Sequence, residues 1–219
     1  MSRVVLITGP NGVGKSRVIT EITSRSVRPV HFEHFHGSSQ LMHWCGVTTR
    51  EQLRELPDDH KREVENRGMH ELIHEHHATG NGTTLLVDAH LVHCQDGIAR
   101  PNEQPWMRMV DAIVTLTSRP TLIHNRLRRD AVETGRSRDC LPFELAYAER
   151  IAAIRQFLDE SARLGRDFAA LWDIPWALVY NLGRTPAPAV RAVRAFLDGV
   201  PLAREQPVPS LAPIAARLH

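Results

Sequence analysis

Eight residues near the start of the chain, GPNGVGKS at positions 9–16, match the pattern G-x-x-x-x-G-K-[ST]. Glycines in this pattern allow successive backbone N–H groups to point inward around a phosphate. The pattern follows an apolar segment and opens a helical one, so the positive end of a helix dipole would face the same phosphate. The sequence therefore predicts a phosphate-binding loop, with nucleotide contacts expected from Gly9, Asn11, Gly12, Val13, Gly14, Lys15, Ser16 and Arg17.

Two side chains of this loop and one distant carboxylate have the types that phosphoryl transfer requires. Lys15 is one of only two lysines, although the chain has 27 basic residues. A lysine here would bridge the β- and γ-phosphates, and the Ser16 hydroxyl would hold Mg²⁺. Asp88 ends the apolar run LLVD, where a carboxylate at the end of a neighbouring strand would lie beside the same ion. We expect Lys15 and Asp88 to be catalytic, and Ser16 and Asp88 to be the metal ligands.

A cluster of arginines brackets the polar segment ETGRSRD: Arg126, Arg128, Arg129, Arg136 and Arg138. Mobile guanidinium groups that close over the γ-phosphate would stabilise the charge of the transition state. Arginines on a helix are more often only its solvated face, so we expect two or three of the five to function. Arg126, Arg136 and Arg138 are the predicted catalytic arginines, and residues 126–142 are the predicted lid.

The 13 histidines include two patterns that suggest ligands. HFEHFH at residues 31–36 lies just after a predicted strand, so we expect His34, His36, Gly37 and the later His90 to contact the substrate. HELIH, from His70 to His74, matches the HExxH zinc pattern. A zinc protease is disfavoured because no third ligand follows at the usual offset.

Composition narrows the class of protein. The formal net charge is +2 and no basic run is present, which argues against a dedicated nucleic-acid binder. No apolar run approaches the roughly 20 residues of a membrane span, and no signal-peptide pattern precedes the first strand, so we expect a cytoplasmic protein without a membrane partner. The three cysteines are widely spaced and predict reduced thiols.

The elements that must position these residues alternate between strand and helix. Strands are predicted at RVVLIT, around Val30, at TTLLVDAH, at DAIVTLT and at PWALVYNL, with helices between them. The helical stretches are 15–24, 49–78 with a break at Pro57, 120–132, 142–171 and a closing amphipathic helix. This alternation predicts an α/β P-loop NTPase fold, a parallel five-stranded sheet with helices on both faces. We expect one domain over residues 1–199, with the acceptor-binding region at 31–79, and a Pro- and Ala-rich tail at 200–219.

The ordered set of motifs resembles the archaeal-type adenylate kinases, which are short P-loop nucleotide kinases. The resemblance covers about residues 4–183 and rests on ITGPNGVGKS, TREQLREL, LLVDAHLV and AIVTLTSRPTLIHNRLRRD running into RSRD. The phosphate loop is common to many NTPases, whereas the ordered combination is more specific. The resemblance implies ATP on Gly12, Gly14, Lys15 and Ser16, Mg²⁺ near Ser16 and Asp88, and a lid with Arg136 and Arg138. It also implies an acceptor nucleotide between the histidine segment and residues 49–78, and a homo-oligomer, a trimer in this family.

The acceptor side departs from this family. HFEHFHGSSQLMHWCG is unusual in its histidines and Trp44, and the following helix lacks the basic and glutamine pattern expected for AMP. We therefore predict an ATP- and Mg²⁺-dependent phosphotransferase whose favoured acceptor is an AMP-like nucleoside monophosphate, with a related nucleoside or another small metabolite as the alternative. A hydroxyl acceptor would need a general base, for which Glu33, His34, His36 and Asp88 are candidates. The alternative is a nucleotide-dependent ATPase switch that acts on a protein partner.

Overall fold

The computed structural model describes residues 2–24, 31–95, 98–134 and 145–199. Seven strands lie at β1 Arg3–Thr8, β2 Phe32–Phe35, β3 Thr84–Asp88, β4 Val92–Gln95, β5 Ile98–Pro101, β6 Ala112–Thr117 and β7 Trp176–Tyr180. Seven α-helices lie at α1 Lys15–Ser24, α2 Gly37–Trp44, α3 Arg50–Glu55, α4 Asp58–Thr79, α5 Pro120–Thr134, α6 Tyr147–Trp172 and α7 Ala187–Leu197. A short 3₁₀ helix covers Pro105–Met109.

Five of the strands form one parallel sheet in the order β2-β3-β1-β6-β7. β1 is central, and its residue Ile7 pairs with Asp88 of β3. The carboxyl ends of parallel strands meet at one edge, which is where ligands bind in open α/β sheets. The predicted α/β P-loop fold with a parallel five-stranded sheet is confirmed, and its register brings Asp88 beside the start of the phosphate loop.

The two faces of the sheet bury separate apolar cores because successive side chains of a strand point to opposite sides. In β1, Val5 and Ile7 pack into one core with the buried faces of α1 and α7. Val4 and Leu6 pack into the other core, with residues of α4 and α6. Helices therefore cover both faces, as the continuous apolar strands predict.

The chain between β2 and β3 begins with a helix that the sequence analysis did not predict. α2 covers Gly37–Trp44, although His36 at its N-cap provides no side-chain cap. The indole of Trp44 lies against α4, where a Cβ on Gly68 would be 2.5 Å from Trp44 Cδ2. The absence of a side chain at Gly68 thus allows α2 to approach α4 closely.

The next two helices were predicted, and their limits have local causes. α3 begins with a capping box in which Thr49 Oγ1 accepts a hydrogen bond from Gln52 N and the Gln52 side chain accepts one from Thr49 N. α4 starts after Pro57 and ends at Gly80, which has a positive φ of 57°. The capping box therefore accounts for the start of α3, and Pro57 and Gly80 account for the two ends of α4.

Other limits differ from the sequence expectations. β2 is Phe32–Phe35 rather than a strand centred on Val30, which lies outside the described residues. The segment after Asp88 contains an antiparallel hairpin, β4–β5, which the sequence analysis did not predict. The first part of the predicted lid, residues 126–134, is the end of α5. No described helix is both long and apolar enough to cross a bilayer.

Candidate functional site

A cavity of about 670 Å³ opens at the carboxyl edge of the sheet. It lies between the phosphate loop, α2, α4, α5 and the loop that follows β7. Six of the eight predicted nucleotide-binding residues line it: Asn11, Gly12, Gly14, Lys15, Ser16 and Arg17. Gly9 and Val13 do not line the cavity, and Val13 is fully buried beneath the loop.

Three of the predicted catalytic and metal-binding side chains, Lys15, Ser16 and Asp88, meet at one point of this cavity. Ser16 Oγ donates a 2.7 Å hydrogen bond to Asp88 Oδ2. Lys15 Nζ lies 3.7 Å from Asp88 Oδ1, and the two side chains are 6% and 17% exposed. The cluster therefore combines a buried cation, a hydroxyl and a carboxylate at the N-terminus of α1.

His90 also contacts this cluster. Its Nδ1 lies 2.9 Å from the Gly9 carbonyl oxygen and 3.4 Å from Lys15 Nζ. Lys15 Nζ also donates to the Gly9 carbonyl, at 3.0 Å. A carbonyl can only accept, so the tautomer with the proton on Nδ1 satisfies Gly9, and Nδ1 then cannot accept from Lys15. His90 thus helps to hold the first residue of the loop.

Two glycines of the loop permit close approaches that a side chain would block. Gly9 has a φ of 132°, and a Cβ there would lie 2.5 Å from the carbonyl oxygen of Leu116. Gly14 has a φ of 98°, and a Cβ there would lie 2.6 Å from Asn181 Nδ2. Because of the positive φ and the close contact, only glycine fits at these two positions, and this accounts for the glycines at 9 and 14 of the phosphate loop.

Arg126 lies against the back of the phosphate loop. Its guanidinium donates to the carbonyl oxygens of Gly12, Val13 and Gly183 at 3.3, 3.0 and 3.1 Å. Burial lowers the pKa of Arg126, and the charges of Arg17 and Arg129 act in the same direction. Arg126 therefore links the loop to the segment after β7, and its contact with a transferred phosphate stays a prediction.

The other predicted arginines fall into two groups. Arg129 lines the cavity and lies 3.9 Å from Glu133, whereas Arg128 is exposed and does not line it. Arg136 and Arg138, with the rest of the predicted lid, lie outside the described residues. Their role stays a prediction from the sequence.

The predicted substrate-binding residues all line the same cavity: His34, His36, Gly37 and His90. The rings of His34 and His36 are 3.7 Å apart between centroids. Burial lowers the pKa of His34 to about 4, helped by the neighbouring His36 and opposed by Asp88. His34 is therefore neutral near pH 7, and its buried Nε2 has no hydrogen-bond partner among the described residues.

The HELIH pattern gains no support as a metal site. His70 and His74 lie on the exposed side of α4. Within the described ranges, no group of three His, Cys, Asp or Glu side chains could hold a metal ion.

The donor set at Ser16 and Asp88 fits Mg²⁺, which prefers oxygen ligands. The hydroxyl and the carboxylate are already in contact, at 2.7 Å, and Lys15 offsets the charge of Asp88. Mg²⁺ keeps several waters when it binds to one or two protein groups beside phosphates, so these two groups suffice for a site shared with a nucleotide.

Sequence analysis missed several residues that line or support the cavity. Glu65 of α4 and Asn102 line it. Asn102 Nδ2 donates to the His90 carbonyl at 2.9 Å and accepts from Gln104, which in turn accepts from Asn66 of α4. This amide chain ties α4 to the end of β3. Asn66 lies 38 positions before Gln104, so no local pattern marks this chain of contacts.

Asn181 was also missed, and it supports the loop from β7. Its Nδ2 donates to the Val13 carbonyl oxygen at 2.8 Å, and the side chain is buried. Only the position of Asn181 at the carboxyl end of the last strand could have suggested this role.

The fold is similar to that of solved kinases. Shikimate kinase from Acinetobacter baumannii in complex with shikimate matches with a TM-score of 0.55 at 15% identity, over 91% of this chain and 95% of that chain. Shikimate kinase from Bacteroides thetaiotaomicron gives 0.51 at 14% identity, over 90% of this chain and 98% of that chain. Thymidylate kinase from Candida albicans gives 0.50 at 13% identity, over 90% and 92%. At these identities the likeness concerns the fold, a P-loop kinase-like fold.

Comparison with sequences gives the family. No curated protein sequence matches the chain. The finer resemblance to archaeal-type adenylate kinases stays a prediction. Residues 8–141 match the model of the AAA domain family, which is more than half of the 219 residues, and the chain therefore belongs to this family of AAA-domain P-loop proteins.

Proposed function

We propose that the protein is an ATP-dependent phosphotransferase that moves the γ-phosphate of ATP to a small-molecule acceptor. The observation that carries this proposal is the cluster of Lys15, Ser16 and Asp88 in one cavity that continues past the loop toward α2 and α4. A simple nucleotide switch needs no second compartment, whereas a kinase needs space for an acceptor beside the γ-phosphate.

The phosphate loop, Lys15 and Arg126 would each have a separate role in phosphoryl transfer. Backbone N–H groups of the loop and the start of α1 would hold the β- and γ-phosphates, and Lys15 would stabilise the charge that develops on them. When bound at Ser16 and Asp88, Mg²⁺ supplies further charge neutralisation on the phosphate oxygens. Arg126 would keep the loop in place through its three carbonyl contacts.

The donor nucleotide would lie along the loop toward the segment after β7. Arg17 and Arg184 line that end of the cavity, and Arg17 donates to the Arg184 carbonyl oxygen at 3.3 Å. Thr185 and Pro186 line it as well. ATP is the donor that the loop chemistry and the family resemblance favour, with the base directed to this end.

The acceptor would lie on the opposite side, against β2, α2 and α4. Two forms of acceptor suit a kinase of this fold. A nucleoside monophosphate such as AMP offers an anionic oxygen and needs no base, whereas a hydroxyl acceptor needs a group to take its proton. The sequence analysis favoured the first form, with a nucleoside or another small metabolite as its alternative.

An acceptor-dependent assay tests the proposal. Purified protein with Mg²⁺ and ATP is offered nucleoside monophosphates, nucleosides and small alcohols, and release of ADP is followed with a coupled assay. We expect at least one acceptor to accelerate ADP release, and Lys15→Ala to remove that acceleration. Slow ADP release that no acceptor changes would contradict the proposal and favour an ATPase switch.

A further inference from the structure

The cavity has a donor half and an acceptor half that differ in charge. The donor half consists of the phosphate loop, α5 and the segment after β7, and it holds every Arg and Lys that lines the cavity in the described chain: Lys15, Arg17, Arg126, Arg129 and Arg184. Asp130 and Glu133 of α5 line the same half, so cations still outnumber these carboxylates there, which suits the triphosphate of a nucleotide.

The acceptor half has no Arg or Lys within the described ranges. Its lining residues are His34, His36, Gly37, Ser39, Leu41 and Glu65 from β2, α2 and α4, and Asn102 beyond β3. Nucleotide kinases and other phosphate sites rely on arginine, because its planar fork matches phosphate geometry. A phosphate group on the acceptor would find hydroxyl, amide and imidazole groups here instead.

Glu65 places an acidic side chain, and no cation, in the acceptor half. It lines the cavity from α4, where burial raises the pKa of its carboxyl, while the side chain of Trp106 and the charge of Arg62 oppose that rise. Arg62, one turn earlier, is exposed and does not line the cavity. The other carboxylate of this region, Asp88, is 3.7 Å from Lys15, whereas Glu65 forms no ion pair with any side chain in the described ranges.

His34 does not supply the missing positive charge. Its lowered pKa leaves the imidazole neutral near pH 7. The buried Nε2 of His34 has no hydrogen-bond partner among the described residues, so it can exchange a hydrogen bond with a ligand hydroxyl. Together with Glu65, Ser39 and Asn102, it forms a set that suits several hydroxyl or amino groups.

We infer that the acceptor is an alcohol without a phosphate group, neutral or cationic, such as a nucleoside, a polyol or an amino sugar. The inference rests on the proposed phosphotransferase function. Glu65 and His34 would contact the acceptor and would position its reacting hydroxyl toward the donor half.

The transfer step balances as a simple displacement. The acceptor oxygen forms a bond to the γ-phosphorus, and the bond from that phosphorus to the β–γ bridging oxygen breaks, with its electron pair leaving on ADP. The hydroxyl proton passes to an oxygen of the transferred phosphoryl group and from there to water. The products are a phosphate monoester, ADP and a released proton.

Matched acceptor pairs test the inference. Each pair differs by one phosphate: adenosine and AMP, thymidine and dTMP, myo-inositol and inositol 1-phosphate, glucosamine and glucosamine 6-phosphate. With Mg²⁺ and ATP, we expect the best acceptor to be an unphosphorylated member, with kcat/KM at least about 100-fold above its phosphorylated partner, because like charges in a site repel strongly. A phosphorylated member as the best acceptor would overturn the inference and leave the phosphotransferase function standing.

A third outcome distinguishes failure of the proposed phosphotransferase function from failure of the inferred alcohol acceptor alone. If the protein binds ATP in a Lys15-dependent way but no member of any pair accelerates ADP release, the proposed function fails and the inference fails with it. Binding of ATP is followed separately, by the change in tryptophan fluorescence on titration.

A variant of Glu65 gives a second test with its own control. We expect Glu65→Gln to raise KM for the alcohol about 10- to 100-fold, the effect of losing a hydrogen bond to a charged group, with KM for ATP unchanged. The same variant should reduce the discrimination between the members of a pair. Glu63→Gln, on the exposed side of the same helix, is the matched control and should change neither value. Equal behaviour of the two variants would overturn the role of Glu65.

Discussion

The hydroxyl of Ser16 donates a 2.7 Å hydrogen bond to the carboxylate of Asp88, a residue 72 positions further along the chain. The parallel pairing of β1 with β3 creates this contact, because Ile7 lies opposite Asp88 at the edge of the sheet where the phosphate loop begins. The two oxygen groups that suit Mg²⁺ are thus held together by the sheet itself.

The Ser16–Asp88 contact predicts a defined dependence on Mg²⁺. Asp88→Asn removes the negative charge but keeps the shape, so the concentration of Mg²⁺ for half-maximal activity should rise about 10- to 100-fold. A titration of Mg²⁺ at fixed ATP measures this shift. Asp59→Asn, on the exposed side of α4, is the control. An unchanged requirement for Mg²⁺ in Asp88→Asn would exclude this carboxylate from the metal site.

The two lysines of the chain form a natural pair of variants. Lys15 is buried beside Asp88, whereas Lys61 pairs with Asp58 on the surface of α4. Lys15→Ala should lower kcat about 100- to 1,000-fold, since it removes a charge that acts on the transition state. Lys61→Ala should retain the activity of the native protein in the same assay. Comparable losses in the two variants would mean that Lys15 has no special role.

Arg126 should act on the binding of nucleotide through the phosphate loop. Arg126→Ala removes three contacts to loop and β7-segment carbonyls. We expect the Kd for ATP to rise about 10-fold, because hydrogen bonds from a charged group contribute more than neutral ones. Equilibrium titration with ATP gives the value, and the exposed Arg128→Ala is the control. A loss of kcat with unchanged Kd would instead favour direct action on the transferred phosphate.

The packing of Trp44 on Gly68 predicts that the effect of Gly68→Ala on stability changes sign when Trp44 is removed. Gly68→Ala places a Cβ 2.5 Å from Trp44 Cδ2, so the free energy of unfolding should fall by about 1–2 kcal/mol despite the better helix propensity of alanine. With Trp44→Ala as background, the same change should be neutral or stabilising by up to about 1 kcal/mol. Urea unfolding of the four proteins measures both effects. Equal destabilisation in both backgrounds would show that Trp44 is not the cause.

Burial of neutral His34 predicts that stability falls in mild acid. The pKa of His34 is lowered from 6.5 to about 4, so the unfolded chain binds more protons between these values. The contribution of neutral His34 to the free energy of unfolding is fully present above about pH 6.5 and is lost as the pH falls toward 4. Over this range the free energy of unfolding should fall by about 1–2 kcal/mol, after allowance for the partial exposure of the ring. Urea unfolding from pH 7 to pH 4 should show this slope in the native protein and in His60→Gln. His34→Gln should flatten it, and an unchanged slope there would contradict the assignment.

The donor side of the site could be predicted because its signals are local in the sequence. The glycines at 9 and 14, Lys15 and Ser16 occur within eight residues, after a buried strand and before a helix. Asp88 was predictable because it ends an apolar strand. In each case a short sequence pattern indicates the backbone conformation that places the residue in the site.

The acceptor side could not be predicted in the same way. Glu65 is one of many charged residues on a helix with little amphipathic contrast, and only the packing of α4 beside the 3₁₀ helix directs it to the cavity. α2 starts without a side-chain cap, and the hairpin strands β4 and β5 have four residues each. Contacts such as Asn102 with His90 depend on tertiary structure, which no short pattern records.

The measurement that tests the central claim most directly follows the labelled γ-phosphate of ATP. The protein is incubated with Mg²⁺, γ-³²P-labelled ATP and the acceptor that most accelerates ADP release, and the products are separated. We predict that the label appears in a phosphate ester of the acceptor, in an amount equal to the ADP formed, and that Lys15→Ala forms it at least about 100-fold more slowly. Label that appears as inorganic phosphate, with the acceptor unchanged, would contradict the account and identify an ATPase.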